Sequence, residues 1–372
     1  PKVFANPDIK WEETDMTNIG IDFIALNNQL SFTADWYVKN TKDILLSVPI
    51  PISSGGANDP VRNAGQIQNK GVEFNLGWNS AVNKDFTYGA NFLGTFNKNN
   101  VKVMGTGSQV INGGSTNQNI NTCRTLAGYP IGGYWLISDA GYFQSDEDIY
   151  NHCLRDAGGE PVLRQNASGQ MERVLIQPSA KPGDVRFVDA NKDGKINDDD
   201  RTYQGSPFPD FTYAINGNMT YKNIDFSIGF QGVAGNKIYN ATRQTLEDVT
   251  KGTNFLASTL DYWTPQNPNA SHPRLVWDDP NRNTRAESNR YLEDGSYFRL
   301  RNIQIGYTFP NHWFKGWVQR ARVYANAENL FTITNYSGYS PDVNSSSATA
   351  RGFDNFIYPS NRVFMFGLNV TF

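Results

Sequence analysis

The chain alternates apolar and polar residues in runs longer than an ordinary strand, and that period of two constrains its fold more than any other feature. Leu30, Phe32, Ala34, Trp36 and Val38 share one face, with Ser31, Thr33, Asp35, Tyr37 and Lys39 on the other. Val72, Phe74, Leu76 and Trp78 repeat the pattern, as do Phe86, Tyr88, Ala90, Phe92 and Phe96. Phe211, Tyr213, Ile215, Met219 and Tyr221 lead through Lys222-Asn223 into Ile224, Phe226, Ile228 and Phe230. With the runs near 19–25, 297–309, 320–332 and 361–372, and a weaker one near 131–143, the pattern predicts about ten strands. Each spans roughly 10–14 residues, against about 5–6 in a soluble sheet and about 9–11 in a tilted membrane strand.

The links point the same way. Short turns fall near 27–28, 80–84 and 222–223, and long excursions near 45–65, 100–130, 144–207, 237–290 and 334–360. Short links at one end and long loops at the other are the asymmetry of a membrane barrel, whereas a β-sandwich keeps its loops shorter throughout. The expected fold is all-β: part of a transmembrane antiparallel β-barrel with long extracellular loops. Phe364, Phe366, Leu368, Val370 and Phe372 alternate to the last residue, which resembles the strand that delivers outer-membrane proteins to their insertion machinery.

Composition narrows the function. Net charge is −3 and the charges are dispersed, so no basic stripe points to nucleic acid. No run approaches the 18 apolar residues of a helical span, a test that barrel strands pass unseen. Aromatics are 13% of the 372 residues, as strands with lipid-facing girdles require. Cys123 and Cys153 lie in one non-strand region, as two buried thiols or as a loop disulfide.

Several blocks resemble the SusC/RagA family of TonB-dependent outer-membrane transporters. They are Asn6-Pro7-Asp8-Ile9-Lys10-Trp11-Glu12, Gly128-Tyr129-Pro130-Ile131-Gly132 running to Asp139-Ala140-Gly141-Tyr142-Phe143, and Pro182-Gly183-Asp184-Val185-Arg186-Phe187. Gly295-Ser296-Tyr297-Phe298-Arg299-Leu300-Arg301-Asn302 with Gly306-Tyr307, and Ala327-Glu328-Asn329-Leu330-Phe331, complete the set in order. The resemblance implies a barrel of about 22 strands with a plugged lumen, of which residues 1–372 are the C-terminal portion. The plug and the TonB-contacting segment are then expected outside this chain. It further implies a bacterial outer-membrane location in contact with lipid, TonB-dependent import of oligosaccharides or peptides, and a SusD-like surface lipoprotein as partner. The alternative is a β-rich glycan-binding or adhesion module without transport.

One local motif carries chemistry. Asp189, Asn191, Asp193, the Lys195 carbonyl and Asp200 stand at the spacing of a calcium loop, with Gly194 at its sharp turn. Asp at the twelfth position, where the longer Glu is usual, and the lack of flanking helices leave a solvated acidic turn as the other reading. Left without a cation, Asp189, Asp193, Asp198, Asp199 and Asp200 are expected to repel one another. His152, His272 and His312 are scattered and read as surface or loop histidines. No acid, base and nucleophile set is evident, so no enzyme activity is expected. Asn166-Ala167-Ser168 matches a glycosylation pattern by chance, and Gly55-Gly56 and Gly105-Thr106-Gly107 are loop glycines. Tyr134, Trp135, Trp263, Trp277, Tyr339 and Tyr358 lie in or beside the long segments, where aromatic faces could stack on sugar rings.

Overall fold

Nine of the alternating runs become strands of a single antiparallel sheet in the computed structural model, which describes residues 6–47, 61–104, 110–314, 317–343 and 347–372. They are β1 (Glu13–Ala25), β2 (Leu30–Ser47), β3 (Val61–Asn83), β4 (Phe86–Met104) and β5 (Phe211–Tyr221). β6 (Ile224–Ala234), β7 (Tyr297–Thr308), β8 (Arg320–Thr334) and β9 (Val363–Thr371) complete the wall, each strand pairing with the next in sequence order.

The register keeps the two faces apart. Ala90, Gly217, Ile228, Ile303, Ala327 and Phe364 are successive partners across six strands, all on the apolar face. One residue over, Gly89, Asn218, Ser227, Gln304 and Asn326 form the matching polar row. Because a one-residue slip would invert every side chain, this continuity fixes the pairing. The apolar face is bare: Phe96 is 50% exposed and Phe366 86%, an area that calls for an apolar solvent and not water.

Aromatic rings mark both ends of that face. At the long-loop end Phe96 stacks on Phe211 at 4.4 Å, and Phe230 on Phe298 at 5.1 Å. At the short-turn end Phe86 meets Tyr221 at 6.2 Å, and Phe309 meets Tyr307 at 5.2 Å and Trp313 at 5.7 Å. Phe211 and Tyr221 lie ten positions apart on β5; at about 3.3 Å per residue and a tilt of about 40°, the belts are about 25 Å apart, the height of a barrel's apolar band. β2, β3 and β4 run 18, 23 and 19 residues, longer than the alternation suggested. Their apolar stripe ends at Trp36, Val72 and Phe96, and the next row, Val38–Lys70–Lys98, is already charged, so these strands continue past the band.

The expected strand near 131–143 is not part of the wall. Residues Gly133–Leu136 and Asp139–Tyr142 pair instead with Asn121–Thr125, Thr202–Gly205 and Val185–Phe187 in small sheets of their own. Its residues are too thoroughly buried to be one-sided: Tyr134, Leu136, Ile137 and Phe143 are all fully enclosed. The segments near 100–130 and 144–207 are therefore one excursion from β4 to β5. The loop glycines Gly55-Gly56 and Gly105-Thr106-Gly107 lie outside the described residues.

The turns at the other end take a left-handed backbone. Asn27 and Asn28, which tolerate it, have φ of 54° and 67°, and Leu26 and Lys222 are held there too at 53°, the latter in the two-residue link between β5 and β6. Of the short links, that between β7 and β8 is the longest, carrying the turn Asn311–Phe314.

The buried core sits in the loops, not in the wall. Cys123, Tyr134, Leu136, Tyr239, Ala241, Tyr291, Ala350 and Phe353 form one cluster drawn from three excursions. The sheet joining Leu292–Asp294, Lys237–Asn240 and Phe353–Asp354 ties two of these loops together, the last two segments in parallel. The Tyr134 hydroxyl, 2.8 Å from the Gly352 carbonyl and 3.2 Å from that of Lys237, fastens all three excursions at one point. The result is a packed loop body at one end of the wall.

Candidate functional site

The polar face and the loop body together make the surfaces on which this chain can act. Near the short-turn end, Arg322 on β8 forms a two-pronged pair with Asp225 on β6. Near the long-loop end, Arg299 on β7 is the anchor. Its guanidinium donates to Thr332 Oγ1 at 2.9 Å, to Asp342 at 3.2 Å and to Ser340 Oγ at 3.3 Å, with its side chain 5% exposed. This pins the last long loop against the wall. Beside it a bulge interrupts β7, with Gly229 facing Asn302 and Phe230 facing Leu300. The extra residue, Arg301, therefore shares the polar side with Asn302, and opposite it Asn329 takes a left-handed φ of 54°. Two adjoining hollows of about 680 and 230 Å³ open here, both bordered by Arg299, Asn329 and Ser360.

The loop body is held by buried charge. Asp184, fully enclosed, receives both prongs of Arg274 at 2.6 and 2.9 Å, the Asn283 amide at 2.8 Å and the Lys181 N–H at 2.8 Å. Gly183, at φ 89°, lies flat beneath the Trp263 ring, where any Cβ would collide. Glu287 accepts from Arg285 at 2.7 Å and Arg282 at 2.9 Å. Tyr336 donates to Asp354 at 2.5 Å, and burial with that bond holds its hydroxyl far above the usual tyrosine range. Burial pushes the Cys123 thiol up to about 12.

Comparison with known proteins fits this geometry. Residues 2–152 match the family model described as TonB dependent receptor-like, beta-barrel. TonB-dependent receptor P3 of Formosa agariphila is 31% identical over 99% of this chain, which covers 35% of that protein. The likeness to TonB-dependent receptors runs the length of the chain. TonB-dependent receptor SusC of Bacteroides thetaiotaomicron is 27% identical over the whole chain and 33% of its own length. The chain thus spans about a third of the length of the curated relatives it matches. In fold it resembles the solved RagAB peptide transporter, with a TM-score of 0.75 at 24% identity, over 99% of this chain and 36% of that one.

Within this wall and its loops, the blocks that carried the resemblance now have physical reasons. Asn63 on β3 accepts from the Lys10 N–H and donates to its carbonyl, both at 2.8 Å, seating the segment before β1. Tyr129 links to the end of β4, where Val101 N–H donates to its carbonyl at 2.9 Å, and its ring joins Trp135 at 4.9 Å and Tyr203 at 5.0 Å. The Arg299–Asn302 and Ala327–Phe331 blocks meet at the bulge.

The acidic loop folds as a self-satisfied turn. Asp189 accepts from the N–H groups of Asp193 at 3.2 Å and Gly194 at 2.8 Å, and Asn191 from Asp193 at 3.0 Å. Asp193 accepts from the Lys195 N–H at 2.9 Å, and Gly194 takes the sharp turn at φ 82°. Asp200, 1% exposed, caps the N–H groups of Ala190 and Asn197, each at 2.8 Å. Asp198 pairs with Arg124 and Arg201, both at 2.5 Å. The expected repulsion among these carboxylates is thus largely offset by backbone N–H groups and two arginines. Among the described residues no group of three or more His, Cys, Asp or Glu side chains stands ready to hold a metal ion.

The remaining expectations divide. Cys123 and Cys153 are free and buried, the first in the main cluster and the second bridged to Leu175 by backbone, so the disulfide alternative falls away. His272 is not a surface residue: it is 4% exposed, 3.6 Å from Glu247, and burial lowers its pKa. Asn166 serves as a turn former, its side-chain oxygen accepting from Ser168 and Gln170 N–H at 2.9 Å each. Of the loop aromatics, Tyr134 and Trp263 are core, Trp135 sits in an aromatic cluster, and Trp277, Tyr339 and Tyr358 are exposed at 69%, 82% and 82%. The signal that sequence reading missed was Arg299 with Asp342: two residues 43 positions apart, joined only by the fold.

Proposed function

We propose that this chain supplies part of the wall and the outer loop body of an importer in the bacterial outer membrane, which takes up oligosaccharides or peptides with energy delivered through TonB. The observation that carries this is the wall itself, with one face apolar between two aromatic belts and the other lined by amides and paired charges. In this reading residues 1–372 are the C-terminal portion of the receptor barrel, and the plug and TonB-contacting segment belong to the rest of the protein. The loop body then faces outward, where a SusD-like lipoprotein would close over the substrate. Support for the substrate class comes from the relatives: one is named SusC, and the fold neighbour is titled a peptide transporter. Calcium in the loop of Asp189, Asn191, Asp193, Lys195 and Asp200 belongs to the same proposal, as a structural ion with oxygens at about 2.3–2.6 Å.

The test is a deletion of the gene encoding the full-length protein, followed by growth on oligosaccharides and on peptides as sole nutrient. Loss of growth on one class, restored by the gene but not by a version unable to engage TonB, supports import. Unchanged growth on every substrate, with the protein extractable from cells without detergent, overturns it. For calcium, a chelator should lower the melting temperature of the folded protein, and added calcium should restore it. An unchanged melting temperature removes the ion from the account.

A further inference from the structure

The segment 279–288 is polar by sequence yet enclosed by the fold, with Asp279, Asn281 and all of 283–288 buried. It belongs to the excursion between β6 and β7, and it is gripped from two sides. The β4–β5 excursion reaches it through Gln177, which donates to Asn281 at 2.8 Å, and through Asp184, which accepts from Asn283 at 2.8 Å. Gln118 of the same excursion donates to the Thr284 carbonyl at 3.3 Å and accepts from the Ala286 N–H at 3.2 Å. On the other side Gln244, in the helix Ala241–Glu247, donates to the Thr284 carbonyl at 3.1 Å. The Tyr239 hydroxyl donates to the Ala286 carbonyl at 2.6 Å. Thr284 therefore stands at the seam between two excursions.

At that seam one hydroxyl faces two carboxylates. Thr284 Oγ1 is 3.2 Å from Asp248 Oδ1 and 3.4 Å from Asp279 Oδ2. Asp248 is 1% exposed and Asp279 8%, so this chain by itself encloses both. Among the described residues neither forms an ion pair. The cations around the adjoining hollow are engaged elsewhere: Arg274 holds Asp184 with both prongs, and Arg290 lies 3.6 Å from Asp139 and 3.9 Å from Glu247. His272, on the same hollow, is 3.6 Å from Glu247. Asp248 has donors of its own in the Thr250 hydroxyl at 2.6 Å and the Gln118 amide at 3.1 Å. A hydroxyl has one hydrogen to give. With both carboxylates ionised, one of them would face the lone pairs of Thr284 across an enclosed gap, and like charges that close disfavour one another's ionisation.

We propose that Asp279 carries a proton in the folded loop body, and that Asp279, Thr284 and Asp248 form a pH-sensitive latch on the seam. The carboxyl hydrogen on Asp279 Oδ2 is donated to Thr284 Oγ1, and Thr284 gives its own hydrogen to Asp248 Oδ1, so two hydrogens satisfy all three groups. As pH rises the Asp279 proton leaves to water, no other bond breaks, and two anions remain on one hydroxyl. Burial pushes the Asp279 carboxyl up from its ordinary value and the charge of Asp184 adds to this, against the N–H groups of Asn283 and Thr284. Because the folded value is raised, the contribution of the latch to stability is complete below the ordinary aspartate value and is lost as pH rises through the folded one. The latch is independent of what the barrel imports.

The experiment uses the full-length protein in detergent between pH 4 and pH 8. Infrared spectra report protonated carboxyls, and amide exchange across 279–289, corrected for its intrinsic dependence on pH, reports the seam. The wild type should keep a protonated-carboxyl signal above the ordinary aspartate range, and D279N should lack that signal. Exchange across 279–289 should rise roughly tenfold in the wild type as the signal is lost. D279N removes the charge and keeps an amide able to meet the Thr284 hydroxyl or N–H, so its seam should stay protected at every pH in the range. D248N removes the second anion and should lower the pH at which the Asp279 signal disappears, a shift that a merely structural role for Asp248 would not produce. A wild type without the signal overturns the latch, as does a signal that D279N retains. Exchange in D279N that follows pH as in the wild type overturns it too. Should D279N fail to fold, the D248N shift decides: its presence supports the latch and its absence overturns it.

Discussion

Placing a charge on the two faces of one strand separates a membrane wall from a soluble sheet. Ile228 lies about midway along the apolar stripe of β6, between Gly217 on β5 and Ile303 on β7. Gly229, next to it, points to the polar side, between Asn216 and Asn302. Arginine at Ile228 would meet lipid near the centre of the band and cost about 2–4 kcal/mol, a fall of roughly 30- to 700-fold in the folded-to-unfolded ratio. Arginine at Gly229 meets a different setting. Its Cβ would crowd Asn302 Oδ1 and stand 3.1 Å from Asn216 Oδ1, but both are ends of flexible side chains that can turn and accept from the guanidinium. That cost is about 1 kcal/mol or less. The assay is heat-modifiable migration of the full-length protein recovered from membranes, with denaturant unfolding in lipid vesicles for the magnitude. I228R should show depleted folded barrel and G229R close to normal levels. Equal depletion, or none for I228R, would refute the assignment of the faces.

Other outcomes follow from the loop body. Arg274→Ala leaves the Asp184 carboxylate enclosed without its charge partner, and should destabilise the loop body by about 3–5 kcal/mol, read as faster amide exchange across 177–187. Tyr336→Phe strips Asp354 of a buried hydrogen bond and should cost about 1–3 kcal/mol, with exchange rising in 335–357. Asp198→Asn should change stability by less than about 1 kcal/mol, because that carboxylate is largely exposed and its pairs are screened. Cys123 has a folded pKa raised from 9.0 to about 12, so the folded form retains the proton. Its contribution to stability is complete below about pH 9 and declines as pH rises toward 12. Thiol labelling of the native protein at pH 8 should therefore spare Cys123, and labelling at pH 10 should accompany loosening of the loop body.

The wall was legible from sequence because its physics is local. Each strand alternates by itself, so Phe226, Ile228 and Phe230 declare their face without knowledge of any partner. The mistaken strand near 131–143 shows where that logic stops. Tyr134 and Leu136 look like one half of an alternation, yet Ile137 on the other parity is fully buried too: segments from two other excursions cover the first pair, and Val185 and Phe187 cover Ile137. The same blindness hid the free state of the two cysteines and the burial of His272, which depend on contacts between distant segments.

The acidic loop marks the limit more sharply. Gly194 turns at positive φ, and Asp189, Asn191 and Asp193 direct their oxygens at nearby backbone N–H groups. What spacing could not supply was the counter-charge, for Arg124 lies 74 positions before Asp198. A carboxylate cluster judged alone asks for a cation; judged with Arg124, Arg201 and the capped Asp200, it already has much of what it needs.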